Sequence, residues 1–140
     1  MDTTETYIKM ADNPDIQRFS PTPPFHMQIT LRDEVWDDGN FWLCIYDANE
    51  IRKIWLPRQD QLQAMVDLDL LEDNPILIWK TLWNTSFKME IKHLDRITRK
   101  QQYWYYIEGE SMEQLWLAFV MKVKFSKAWD GETWQSPMSP

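Results

Sequence analysis

The stretch SMEQLWLAFVMKVKF, residues 111–125, constrains the fold more than any other part of the sequence. Ser111 and Gln114 have the spacing of a helix capping box, and seven apolar residues follow from Leu115 to Met121. At about 100° per residue, this pattern predicts a helix with two apolar faces, one carrying Trp116 and Phe119 and the other Leu117, Met121 and Phe125. Only one face of a helix can lie on a sheet, so something else must bury the second face.

Two structures can bury that second face. The tail sequence KAWDGETW contains Asp130-Gly131, a tight-turn dipeptide, and predicts a hairpin that folds its two tryptophans back over the helix. Alternatively, the face is an interface with a partner or with a second copy of the chain, since interfaces are enriched in Trp, Phe and Met. The candidate interface residues are Leu117, Met121, Phe125, Arg58 and Asp60.

Size and composition predict one globular domain. The chain has 140 residues, of which 44% are hydrophobic and 14% aromatic, too apolar for a disordered protein. Its longest apolar run is far shorter than the roughly 20 residues of a membrane-spanning helix. Cys44 is the one cysteine, so no disulfide forms within the chain, and the N-terminus does not have the pattern of a signal peptide. We therefore expect a cytoplasmic protein with no membrane association.

Periodicity and turn signals predict an α+β fold with an antiparallel sheet of about five strands and helices packed mainly on one face. Three helices are expected near residues 58–67, 75–84 and 112–126. The predicted order along the single domain is a helical N-terminal arm and proline-rich connector (1–25), a β meander (26–56), two helices (57–84), a β hairpin (86–108), the two-faced helix (111–126) and the tail (127–140).

The residues that usually carry catalysis or metal binding do not form a recognisable set. The three glycines are widely spaced, which excludes the glycine-rich phosphate-binding loops. One cysteine and two histidines, His26 and His93, are too few for a closed structural zinc site. Cys44 lies between large apolar residues, as expected of an inert buried thiol. We therefore predict that the protein is not an enzyme and that it needs no metal or cofactor.

One segment has the composition of a small-ligand site. Tyr103, Trp104, Tyr105 and Tyr106 follow Arg96 and Arg99, and aromatic side chains beside cations hold nucleotides and single-stranded nucleic acids. A well-packed strand beside a basic turn explains the same residues, because aromatics are favoured in strands. The net charge of −7 disfavours nucleic acid as a partner and leaves a basic protein surface possible.

Three sequence motifs carry a resemblance: YIKMADNPDIQ, IWLPRQDQLQAMV and SMEQLWLAFVMKVKFSKAWDGETW. Together they resemble a family of small uncharacterised proteins of phages and prophages of Gram-positive bacteria. The resemblance brings no catalytic or ligand-binding residue with it. It implies an accessory protein that binds a host or defence-system protein. The alternatives are a module that binds a nucleotide-like ligand at residues 103–106 and a self-associating structural protein, such as a homodimer through the helix of residues 112–126.

Overall fold

A computed structural model describes the backbone of residues 1–25, 30–47, 50–66, 76–81, 87–94 and 101–136. Side chains are described for residues 1–25, 30–46, 50–66, 88 and 107–136. Helices and strands both occur, as expected of an α+β fold. In chain order the elements are α1 (Glu5–Ala11), α2 (Pro14–Gln17), β1 (Arg32–Asp37), β2 (Asn40–Asp47), β3 (Glu50–Leu56), α3 (Gln59–Ala64), β4 (Ile76–Thr81), β5 (Phe87–Leu94), β6 (Gln101–Gly109), α4 (Met112–Phe125), β7 (Ala128–Trp129) and β8 (Trp134–Gln135).

Three of the helices begin at a side-chain cap, including the one predicted at Ser111. The side chains of Thr4, Asn13 and Ser111 each accept a hydrogen bond from a backbone N–H in the first turn of α1, α2 and α4. Such caps satisfy backbone donors that have no partner inside the helix, and each contributes about 1 kcal/mol. Pro14, whose fixed φ suits a first helical position, follows Asn13 directly.

Strands β1, β2 and β3 form an antiparallel sheet in that order, so β2 is its central strand. The β1–β2 turn consists of Asp38 and Gly39, with φ angles of 51° and 77°. Two positive φ angles in succession define the tight hairpin turn that Asp-Gly sequences favour. The turn sets the register in which Val35 lies opposite Trp42, and in the neighbouring pairing of β2 with β3 Trp42 lies opposite Trp55.

Both faces of β2 are covered. Phe41 and Leu43 point to one face and Trp42 and Cys44 to the other, and none of the four side chains is more than 4% exposed. Burial of a large apolar side chain to this extent stabilises the fold by about 1.5–3 kcal/mol. The core of the described chain therefore extends to both sides of this sheet.

The second sheet corrects two predictions. Residues 76–81 form strand β4, which pairs antiparallel with β5, so the helix predicted over residues 75–84 is wrong. β5 in turn pairs with β6, as expected of the predicted hairpin. The described strands thus form two three-stranded sheets and a short two-stranded one, rather than one sheet of about five strands.

The tail forms the predicted hairpin. Asp130 accepts hydrogen bonds from the backbone N–H groups of Glu132 and Thr133, and these bonds lower the pKa of its carboxyl group. The rings of Trp129 and Trp134 are 5.1 Å apart, and both pack against the core. Trp134 Nε1 donates to the carbonyl oxygen of Met10 at 2.8 Å, which ties the tail to α1.

Candidate binding groove

A groove of about 520 Å³ lies where the segment after α2, helix α3 and the end of α4 meet. Its volume falls within the range of about 300–1,000 Å³ that is usual for ligand sites. Most of its lining is apolar or amide-bearing, and Lys124 is the one charged residue among the described residues that line it. The lining residues are Phe19, Pro21, Asn40, Trp55, Gln61, Ala64, Met65 and Lys124.

The wall formed by α3 is held by amide side chains. Gln61 Oε1 accepts from the backbone N–H of Arg58 at 2.8 Å, while Gln61 Nε2 donates to Asn40 Oδ1. The strand-to-helix joint before α3 is held by the buried hydroxyl of Tyr7, which donates to the carbonyl oxygen of Pro57 at 2.6 Å. Burial raises the pKa of that Tyr7 hydroxyl well above its usual value, so it remains a donor.

The rim of the groove is an aromatic and cationic cluster of Arg18, Phe19, Lys124 and Phe125. The two phenylalanine rings are 6.2 Å apart. The guanidinium of Arg18 lies 5.6 Å from the Phe19 ring centre and 5.3 Å from that of Phe125, and Lys124 Nζ is 4.9 Å from the Phe19 ring. Cations within about 6 Å of an aromatic face are attracted to it, so these charges are held in place beside the groove.

Trp55 supplies the buried part of the lining, at 3% exposed. The side-chain amide of Gln17 bonds both backbone groups of Trp55, donating to its carbonyl at 2.8 Å and accepting from its N–H at 2.9 Å. Trp55 and Trp42 therefore form a pair without hydrogen bonds between their own backbones, in which side chains lie close together. The indole N–H groups of these two residues are buried and have no acceptor in the described part of the chain.

The interface residues predicted from the sequence divide into two groups. Leu117 and Met121 are fully buried within the chain and offer no surface to a partner. Phe125 is half-buried and belongs to the cluster at the groove rim. Arg58 and Asp60 form an exposed ion pair at the start of α3, with Nε–Oδ1 and Nη2–Oδ2 distances of 2.9 and 3.2 Å. Hydrogen bonding to Arg58 lowers the pKa of Asp60, so the pair remains charged.

The predicted ligand-binding residues are not tested by the structure. Arg96 and Arg99 lie outside the described residues. Tyr103, Trp104, Tyr105 and Tyr106 lie in β6, where the backbone alone is described. Their assignment to a ligand site stays a prediction.

The sequence predictions on metal binding and on Cys44 can be compared with the described residues. No group of three or more potential metal-binding side chains occurs within the ranges given above. Cys44 is buried, and its burial raises the pKa of the thiol, which disfavours the nucleophilic thiolate form. No helix in this part of the chain is both long and apolar enough to cross a bilayer.

A second exposed apolar surface lies at the far end of the β1–β3 sheet. Tyr46 pairs with Ile51 and its backbone N–H donates to the carbonyl of Leu31, so these three residues form one row across the strands. Leu31 is 73% exposed, Tyr46 42% and Ile51 40%.

Most of the groove could not be predicted from the sequence. Phe19, Met65 and Lys124 come from three distant segments, and although Met65 and Lys124 lie in two of the motifs quoted above, neither motif indicates that these residues meet. The one available signal was the position of Phe125 at the end of an apolar helix face. Comparison with known proteins gives no information on the role of the groove. No family model matches the chain, and neither the curated proteins nor the solved structures contain a match.

Proposed function

We propose that this chain is a non-enzymatic binding protein that attaches to another protein through the groove. The observation that carries the proposal is the cluster at its rim, where Phe19 is 41% exposed beside Arg18, Lys124 and the half-buried Phe125. Aromatic residues, Met and Arg are the residues enriched at the centres of protein interfaces. The motif resemblance supports a phage or prophage accessory protein, with a host or defence-system protein as partner.

Site-specific photocrosslinking tests this proposal. A photoreactive phenylalanine analogue is placed at Phe19 in one variant and at Leu31 in a control variant, and each is expressed in a Gram-positive host. Both positions are exposed and apolar, but only Phe19 lies in the groove. We expect a single crosslinked host protein from position 19 that is absent from position 31.

The same experiment has outcomes that contradict the proposal. Equal crosslinking at both positions would mean non-specific contact, and a product only at position 31 would move the binding surface to the row formed by Leu31, Tyr46 and Ile51. If a product specific to position 19 is found, the purified partner should bind Phe19→Ala at least about tenfold more weakly, because truncation of an interface hot spot costs about 2 kcal/mol or more. Unchanged affinity would refute a role for the groove.

A further inference from the structure

The charge around the groove is opposite in sign to that of the chain. The chain has a net charge of −7. At its rim, Arg18 and Lys124 place two positive charges beside Phe19, and the described residues that line the groove include no carboxylate. The pair Arg58–Asp60 at the start of α3 adds no net charge.

The cations at the rim are only partly neutralised inside the chain. Asp15 lies 3.6 Å from Arg18 and also pairs with Lys127, so one carboxylate is shared between two cations. The Arg18 side chain is 61% exposed. Lys124 Nζ donates to the carbonyl of Met65 at 3.2 Å, a neutral acceptor that leaves its charge available. Arg and Lys so placed are suited to bind carboxylates, Arg through two parallel hydrogen bonds.

The groove beside these cations is mostly apolar. Phe19, Met65 and Ala64 line it, together with the buried Trp55. An occupant that fits this site has an apolar side chain for the groove and hydrogen-bond acceptors of negative charge next to it. A short acidic segment of a protein has both.

We infer that the groove takes an acidic peptide segment of the partner protein, with a leucine or aromatic side chain inserted beside Phe19 and Met65 and flanking carboxylates paired with Lys124 and Arg18. The inference rests on the proposed function and specifies the chemistry of the partner. A nucleic acid is disfavoured, because it brings a continuous row of phosphates against a chain of net charge −7, whereas a short segment presents its few carboxylates at the groove alone.

Selection from a random peptide library tests the inference without knowledge of the partner. The library is displayed on cells and sorted for binding to the fluorescently labelled wild-type protein, and peptides that also bind Lys124→Glu are removed. We expect the remaining peptides to be enriched in Asp and Glu around at least one Leu, Phe or Trp. Synthetic versions should bind Lys124→Glu at least about fivefold more weakly than wild type, because the charge reversal removes an exposed ion pair worth up to about fivefold and adds repulsion between like charges.

Lys9→Glu is the matched control, since Lys9 is an exposed lysine on α1 that does not line the groove, and the change in net charge is the same. It should alter affinity by less than about twofold in physiological salt, where distant exposed charges are screened. Equal weakening by Lys9→Glu and Lys124→Glu would show a general charge effect and overturn the inference.

The experiments distinguish failure of the acidic-peptide inference from failure of the proposed binding function. Groove-dependent peptides that are basic or neutral would overturn the acidic partner and leave the groove as a binding site. A library that yields no groove-dependent peptide would overturn the inference as well. The proposed function fails on separate results: no crosslink specific to position 19, or unchanged affinity of Phe19→Ala for the crosslinked partner.

Discussion

At the first turn of α4, polar side chains find their partners inside the chain, whereas at the last turn aromatic and cationic side chains remain partly exposed. Asp2, only 8% exposed, accepts hydrogen bonds from Thr4, Ser111 and Gln114 next to the start of the helix. Gln114 also accepts from the backbone N–H of Glu110 at 3.0 Å. At the other end, Lys124 and Phe125 form part of the groove rim.

The charged side chains at both ends of α4 are placed favourably with respect to the helix dipole. Its positive N-terminal end lies beside the Asp2 carboxylate, and its negative C-terminal end carries Lys122 and Lys124. The two ends differ in whether the chain itself supplies the interaction partners of their side chains. At the first turn the chain supplies all the partners of the carboxylate, which stabilises the fold. At the last turn the chain leaves charge and apolar surface available, as expected where function needs a contact from outside.

The largest effect on stability is expected from a substitution in the middle of α4, on which both ends of the helix depend. Leu117→Ala removes a fully buried side chain, and we expect the free energy of unfolding to fall by about 2–5 kcal/mol in urea denaturation. Lys124→Ala, at an exposed position of the same helix, should change it by no more than about 0.5 kcal/mol. A folded Leu117→Ala protein of unchanged stability but lower oligomeric state would instead restore the predicted interface at this face.

Asp2→Asn tests how much the hydrogen bonds at the first turn of α4 contribute to stability. The substitution removes a carboxylate that several donors bind, and should lower the free energy of unfolding at pH 7 by about 1.5–3 kcal/mol, the usual contribution of hydrogen bonds to a charged group. Asp12→Asn is the control, because Asp12 pairs with Arg52 at the surface and such pairs contribute less than about 1 kcal/mol. Equal losses in the two variants would show that the first turn of α4 is not specially stabilised.

The Asp2 prediction has a definite pH dependence. Burial disfavours the Asp2 carboxylate, but the hydrogen bonds from Ser111, Thr4 and Gln114 outweigh burial and lower the pKa below its ordinary value of 3.8. The unfolded state then binds the proton more readily, so the contribution of Asp2 to stability is present above about pH 4 and is lost as the pH falls further. The difference between wild type and Asp2→Asn should therefore shrink in acid; a constant difference down to low pH would contradict this account.

The smallest expected effect on stability is at the last turn of α4, where Ser126 ends the helix with a φ of 57°. Left-handed backbone strains residues with a side chain, and glycine is the usual residue at such a helix end. Ser126→Gly should raise the melting temperature, with a gain of about 0.5–1 kcal/mol. Ala128→Gly, in a strand, should lower it, and a loss of stability in both variants would show that Ser126 is not strained.

Local signals in the sequence predict the starts of helices and the tight turns. Thr4, Asn13 and Ser111 act as caps, and Asp38-Gly39 and Asp130-Gly131 form turns, because these interactions join residues only a few positions apart. The apolar residues on both sides of β2 likewise predict a strand covered on both faces. Such features depend little on the rest of the fold.

Features that depend on contacts between distant segments could not be predicted from the sequence. The segment ILIWKT satisfies a helical and an extended pattern equally, and its isoleucines, tryptophan and threonine favour strands once β5 is available to pair with it. The groove joins residues that are more than a hundred positions apart, as in the contact between Phe19 and Phe125. A helix face alone cannot show that Leu117 faces the core while Phe125, at the end of the same apolar stripe, reaches the surface.

The amide of Gln17 has a consequence for how the chain behaves at high concentration. Among the described strands, β3 lies at the edge of its sheet, and an unpaired edge is a template on which other molecules add strands and aggregate. At Trp55, Gln17 occupies both backbone groups that an incoming strand would use, from a position 38 residues away in the sequence. Resistance to aggregation along this part of the edge therefore depends on one glutamine side chain and on the short helix that carries it.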